Sequence, residues 1–245
     1  DLKKFVVAGD TGDTLTLALS QTDAYKKRFA GNAERIKNGL PGLNPAQYIA
    51  TEEQYRNVLD QYGIAGYTTP QSLNDFIAKD ISPTELEDRV KVATSQYTNA
   101  PAEWRQTWEQ FYGLTQGDAL KAILDPKIKS LADIQREAGS VDIGSAASQQ
   151  GLAVGRGRAE ELQANGVTLA NAQKAYAAIA GSLPTDQNIA NRFGTTFDQT
   201  QEENDLLLGQ GDATQKRQTL YSSEQGLFGG HAGADQNALG VSQAY

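Results

Sequence analysis

Between Asn44 and Gly63 the chain spells out one helix with both of its ends marked. Asn44 stands where an N-cap is needed, Pro45 occupies the first helical position, and Gln47 is placed to close a capping box. Gly63 follows as the left-handed stop. A segment so punctuated has little freedom to be anything else, and the same punctuation recurs along the sequence. Ser82-Pro83-Thr84-Glu85 reads as a full capping box opening a helix through about Gln96, and Pro101 opens PAEWRQTWEQFYG, which stops at Gly113. Thr69-Pro70 opens QSLNDFIAK, Thr168 caps LANAQKAYAAIAG, and Asp212-Ala213-Thr214-Gln215 is a further capping box. ALKAILD, KIKSLADIQREAG and GRAEELQANG have helical period as well.

Strand signals are confined to FVVAG at 5–9, too short and isolated to begin a sheet. The expected fold class is therefore mostly α: about a dozen short to medium helices with glycine stops and little or no β-sheet. From Gly226 onward the chain is rich in glycine and small polar residues, which predicts an extended or flexible arm over 227–245. Phe228, Leu239 and Tyr245 would be its docking points. The expected division is an N-terminal helical segment at 1–39, a helical domain at 40–144, a second helical region at 145–226, and the arm. The junction is placed in SVDIGSAASQQGLAVGRG, where small residues concentrate. GDTLTLAL at 12–19 and GDALKAIL at 117–124 look alike, which we read as one capping chemistry used twice.

Hydrophobic residues make up 39% of the 245 and mean hydropathy is −0.52, values that suit amphipathic helices with generous exposed faces. No apolar run approaches the length of a bilayer span. With 30 acids against 22 bases, the net charge of −8 argues against gripping phosphate backbones, so no specific nucleic-acid binding is expected. The absence of cysteine excludes disulfides and thiolate metal sites. The absence of methionine predicts a segment preceding Asp1.

No catalytic constellation assembles from the residues. Asp10-Thr11-Gly12 spells the triplet of aspartic proteases, but those enzymes pair two such carboxylates in β-structure and here there is one. Asp10 or Asp13 is better placed as the cap of a helix starting near Thr14. His231, the only histidine, lies in the glycine-rich tail, without the rigid support a catalytic triad needs. Gly155-Arg156-Gly157-Arg158 lacks the preceding strand and third glycine of a dinucleotide loop and reads as a flexible helix entrance. Glu52-Glu53, Glu160-Glu161 and Glu202-Glu203 point about 100° apart on a helix, so they read as solvated faces. Neither a cofactor nor a metal is expected. Tyr48, Tyr55 and Tyr62 recur every seven residues, and Trp104, Trp108 and Phe111 form a second stripe. Helix-to-helix packing is the plain reading of both stripes. The sharper one turns part of a stripe towards a neighbouring subunit, which makes Tyr48, Tyr55, Tyr62, Trp104, Trp108, Phe228 and Tyr245 the candidate interface residues.

The pattern TDAYKKRFAGNAERIKNGLPGLNPAQYIATEEQYRNVLDQYG at 22–63 resembles a helical protein encoded among the virion genes of tailed bacteriophages, notably phages of actinobacteria. The likeness continues through FIAKDISPTEL at 76–86, Arg89-Val90, Phe111-Tyr112-Gly113 and AILDP at 122–126. It resumes at Arg158-Ala159-Glu160 and Gly166-Val167-Thr168, and ends in the tail after Ser223-Glu224-Gln225, so it covers nearly all of the chain. Where this chain reads GIAGYTTPQSL, related sequences carry a Leu-Pro turn, a loop variation. The resemblance implies a non-enzymatic structural component of the virion, assembled in the host cytoplasm and present in multiple copies. It would be internal, portal-proximal or ejected. Its implied partners are portal, connector, tail or capsid proteins and copies of itself. A virion-associated lytic enzyme and a helical assembly adaptor or chaperone stand as alternatives.

Overall fold

A computed structural model describes residues 12–232 of the chain. The FVVAG run, Asp10, Thr11, Leu239 and Tyr245 lie outside the described residues. Among those described there are thirteen α-helices and no strand, so the fold is mostly α.

The chain divides into two compact units, 1–135 and 136–245. In the first, α1 (Gly12–Ser20), α2 (Asp23–Arg28), α3 (Ala30–Lys37), α4 (Pro45–Gln61), α5 (Pro70–Ala78), α6 (Pro83–Ala93), α7 (Ala102–Tyr112) and α8 (Gln116–Leu124) follow one another. A 3-10 turn at Ala65–Tyr67 and a π-helical turn at Thr94–Thr98 interrupt the series. Next come α9 (Leu131–Gln149), within which the unit boundary falls, α10 (Arg156–Ala164), α11 (Leu169–Arg192), α12 (Gln199–Leu208) and α13 (Ala213–Ala232).

The local punctuation acts as its chemistry requires. The Asn44 Oδ1 accepts from the Gln47 amide at 2.9 Å while Gln47 returns the bond to the Asn44 amide at 3.1 Å. Gly63 sits at φ +71° and Gly113 at φ +67°, the left-handed region that stops a helix at little cost only for glycine. Thr69 and Thr168 cap α5 and α11. At Ser82 half of the expected box forms: its hydroxyl accepts from the Glu85 amide, but the Glu85 carboxylate is drawn to Arg89 instead. The start of α13 is held from outside, the Thr214 amide donating to Asp205 of α12 at 2.9 Å.

Four expectations need correction. The first half of the expected junction is helical: α9 runs to Gln149, with Ser140, Val141, Ile143, Ser145, Ala146 and Ala147 buried, Ser140 and Ser145 fully so, and only the stretch from Gln150 to Gly155 is a turn and loop. The described part of the segment expected at 1–39 is not separate, since α3 packs against α5 within the first unit. The helix capped by Thr168 continues past Gly181 and through Pro184 to Arg192. Pro184 is exposed while Leu183, Asp186, Ile189 and Ala190 are buried, so the missing amide falls on the solvent side of a helix whose other face is held. The arm expected from 227 begins as helix, α13 running to Ala232.

Around α6 the first unit builds its core. α6 packs against α4, α8 and the π-helical turn, enclosing Tyr55, Leu59, Leu86, Val90 and Ile123. The wide π-helical turn, which replaces the last residues of the helix expected through Gln96, places Gln96 to accept from the Trp108 indole at 3.3 Å. In the second unit α11, α12 and α13 pack on one another. Among the buried positions of α11, Ala172, Tyr176, Ile179, Leu183, Asp186 and Ala190 follow a seam of alternating four and three, with Ala175 and Ile189 beside it.

Candidate functional site

Most of the candidate interface residues are consumed by the chain's own core. Tyr48, Tyr55 and Trp108 are at most 1% exposed and Trp104 6%, so none of the four can face a neighbour. Their polar atoms are used internally as well. The Tyr48 hydroxyl accepts from the Gly31 amide at 3.1 Å and donates to Asn74 at 2.5 Å, and the Tyr55 hydroxyl donates to the Ile81 carbonyl. Burial raises the pKa of both phenols, as it does for Tyr97 and Tyr176. Of the stripes only Tyr62 remains partly open, donating to Glu87 at 3.2 Å. Phe228 is described only as backbone within α13, and Tyr245 lies outside the described residues.

What the sequence reading missed is a set of buried arginine–carboxylate clasps. Glu52, read as part of a solvated pair, is 2% exposed, and Glu202 and Glu203 are 0% and 2%. Each occupies a position where the helix must turn it inward, Glu52 falling in the seam Tyr48, Glu52, Tyr55, Leu59. A buried carboxylate needs a partner, and every one has an arginine from another helix. Arg28 grips Glu52 with two bonds, at 2.9 and 2.6 Å. Arg158, expected in a loose helix entrance, donates to Glu203 at 2.9 Å and to Asn204 at 2.6 Å, while Tyr176 and Gln199 donate to the other Glu203 oxygen.

The third clasp is unbalanced. Arg217 of α13 donates to Asp186 of α11 at 2.8 Å, to Glu202 of α12, and to Ser182 at 3.2 Å. Two carboxylates thus share one guanidinium, and Asp186 Oδ1 and Glu202 Oε2 are left without hydrogen bonds. Burial pushes Glu202 above the usual carboxylate range against the pull of Arg217, and the Asp186 charge adds to the rise.

Two further arginines hold helix ends. Arg35 donates to the Ile77 carbonyl at the end of α5 and to Asp80, the one described non-glycine residue at positive φ. Arg89, only 1% exposed, donates to the Ile123 carbonyl at the end of α8 and to the Lys129 carbonyl. A cation at a helix C-terminus satisfies orphan carbonyls and complements the macrodipole.

Two clefts open in the first unit. One of about 320 Å³ lies between Tyr67, Asp75, Phe76, Lys121, Leu124 and Asp125. The other, of about 530 Å³, is lined by Ala24, Lys27, Arg28, Glu52, Arg56, Pro70 and Asn74, three cations to one acid. Among the described residues no group of three or more histidine, aspartate or glutamate side chains is placed to hold a metal, and no helix is long and apolar enough to cross a membrane. The chemistry on view is cohesion: charges that join helices, and one basic hollow. Compared with known proteins, the chain matches no family model, no curated protein and no solved structure.

Proposed function

We propose that this chain is a non-enzymatic structural component of a tailed-phage particle, present in multiple copies and working through protein–protein contacts. The observation that carries this reading is the resemblance running from Thr22 to Gln225, across both compact units. The geometry supports it in one respect: arginines and carboxylates at buried positions are engaged in holding one helix to another, the construction of a scaffold.

With the tyrosine and tryptophan stripes consumed by the core, contact with portal, connector, tail or capsid proteins, or with further copies, falls to other side chains. Ile36 (64% exposed), Ile49 (40%) and the open side of Tyr62 serve the first unit; Leu206 (45%) and Leu227 (59%) serve the second. An internal, portal-proximal or ejected place suits the acidic charge. The tail contributes a docking arm. Deleting 233–245 leaves every described helix whole, and the truncated chain is expected to be lost from particles; normal incorporation would remove the arm from the account. Clearing of host cell walls in a zymogram by the purified chain would overturn the reading in favour of a lytic enzyme.

A further inference from the structure

We propose that the basic cleft between α2, α4 and α5 binds a phosphate dianion, as inorganic phosphate or a phosphate monoester. The inference stands apart from the particle role and rests on the charge balance and geometry of the hollow. Glu52 at its floor has both oxygens engaged by Arg28, and it lies 3.8 Å from the Arg56 guanidinium. Lys27 makes no ion pair among the described residues. One carboxylate therefore faces three cations, leaving two positive charges surplus in a chain whose net charge is −8. A surplus of two matches a phosphate dianion.

The hollow is also preorganised. Arg28 is fixed by its two bonds to Glu52 and by its position over the Phe29 and Tyr48 rings, at 5.2 and 5.8 Å. Asn74 accepts from the Tyr48 hydroxyl with its Oδ1, so its amide group is the end left to donate into the cleft. Pro70, the first residue of α5, lines the wall, which brings the positive end of that nine-residue helix to the same space. A phosphodiester carries one charge per phosphate and is followed along a basic track, whereas this hollow gathers its three cations around one space in a chain whose net charge is −8.

The test is a titration of the full chain with inorganic phosphate at low, fixed ionic strength, followed by two-dimensional amide NMR. Sodium chloride at matched ionic strength and a twelve-nucleotide single strand are run as separate arms. The expected result is saturable shifts centred on Lys27, Arg56 and Asn74, absent with chloride. Lys27→Gln, at an exposed side chain, and Arg56→Gln, at a half-buried one, should each weaken the phosphate Kd roughly tenfold or more with helical ellipticity unchanged. Shifts scattered over the chain, or a Kd indifferent to both substitutions, would overturn the site. Binding of the oligonucleotide with inorganic phosphate silent would overturn it in favour of a nucleic-acid surface.

Discussion

Replacing Arg217 with methionine keeps most of the aliphatic stem and removes the one cation that Asp186 and Glu202 share. Both carboxylates are at most 1% exposed, so neither can recover its hydration without opening the packing of α11, α12 and α13. Breaking a buried pair from one side costs roughly 3–5 kcal/mol. The Arg217 side chain is 24% exposed, which places this case at about 3 kcal/mol, at the lower end of the range for buried pairs. Native-state amide exchange reads the loss directly: protection in peptides from 169–192 and 199–208 should fall about a hundredfold at pH 7, since each 1.4 kcal/mol is a factor of ten. In an Asp186→Asn, Glu202→Gln background the same replacement should cost less than about 1 kcal/mol, because no charge is then left stranded. An equal cost in both backgrounds would mean that Arg217 acts through packing alone, and the clasp would be refuted.

The pH dependence has a fixed sign. Glu202 is raised in the folded chain, so its protonated form is favoured there relative to the unfolded chain. Its stabilising contribution is full below the ordinary carboxylate pKa and is lost as pH rises through the raised folded value. Glu202→Gln should therefore remove a loss of stability on going from mildly acid to neutral pH, and leave Asp186 and Arg217 as a balanced pair. A mutant whose stability still tracked the wild-type curve over that window would contradict the assignment.

Other substitutions test the remaining joints. Asn44→Ala removes the side-chain half of the capping box, the bond from the Gln47 amide, while the backbone amide at 44 can still donate to Gln47, and should cost about 1 kcal/mol in urea denaturation. Tyr48→Phe strands the Gly31 amide in the core and should cost about 1–3 kcal/mol, with no change in helical ellipticity at low temperature. Pro184→Ala restores a missing helix amide at an exposed position and should raise the urea midpoint, by at most about 3 kcal/mol of stability.

The helices were legible where their signals are local. Asn44 and Gln47 are three residues apart and need only each other, and Gly63 needs only its own backbone, so the sequence alone sufficed. Signals that depend on a distant partner were not legible. Glu202 and Glu203 look solvated until Arg158 and Arg217, from two other helices, arrive to meet them. Glu85 looked like a capping-box residue until Arg89 took its carboxylate. One sign was available: Glu52 and Asp186 sit in register with their apolar seams, and a carboxylate in such a register asks for a buried cation. In the junction expected at 140–157, the small residues up to Ala147 misled because small side chains permit both a loop and a closely packed buried helix. At Gly139 an added Cβ would lie 2.9 Å from the Gln163 side chain, so the close approach is the reason. The basic cleft could not have been found by spacing, since Lys27, Arg56 and Asn74 converge only after α2, α4 and α5 have packed.

The most direct test of the proposed role is quantitative mass spectrometry of purified, nuclease-treated particles made by the genome that encodes this chain. The account predicts peptides from both 12–135 and 136–232 in the mature particle, at a fixed multiple-copy ratio to the portal protein. Their absence from mature particles, with the chain abundant in the infected cell, would contradict it.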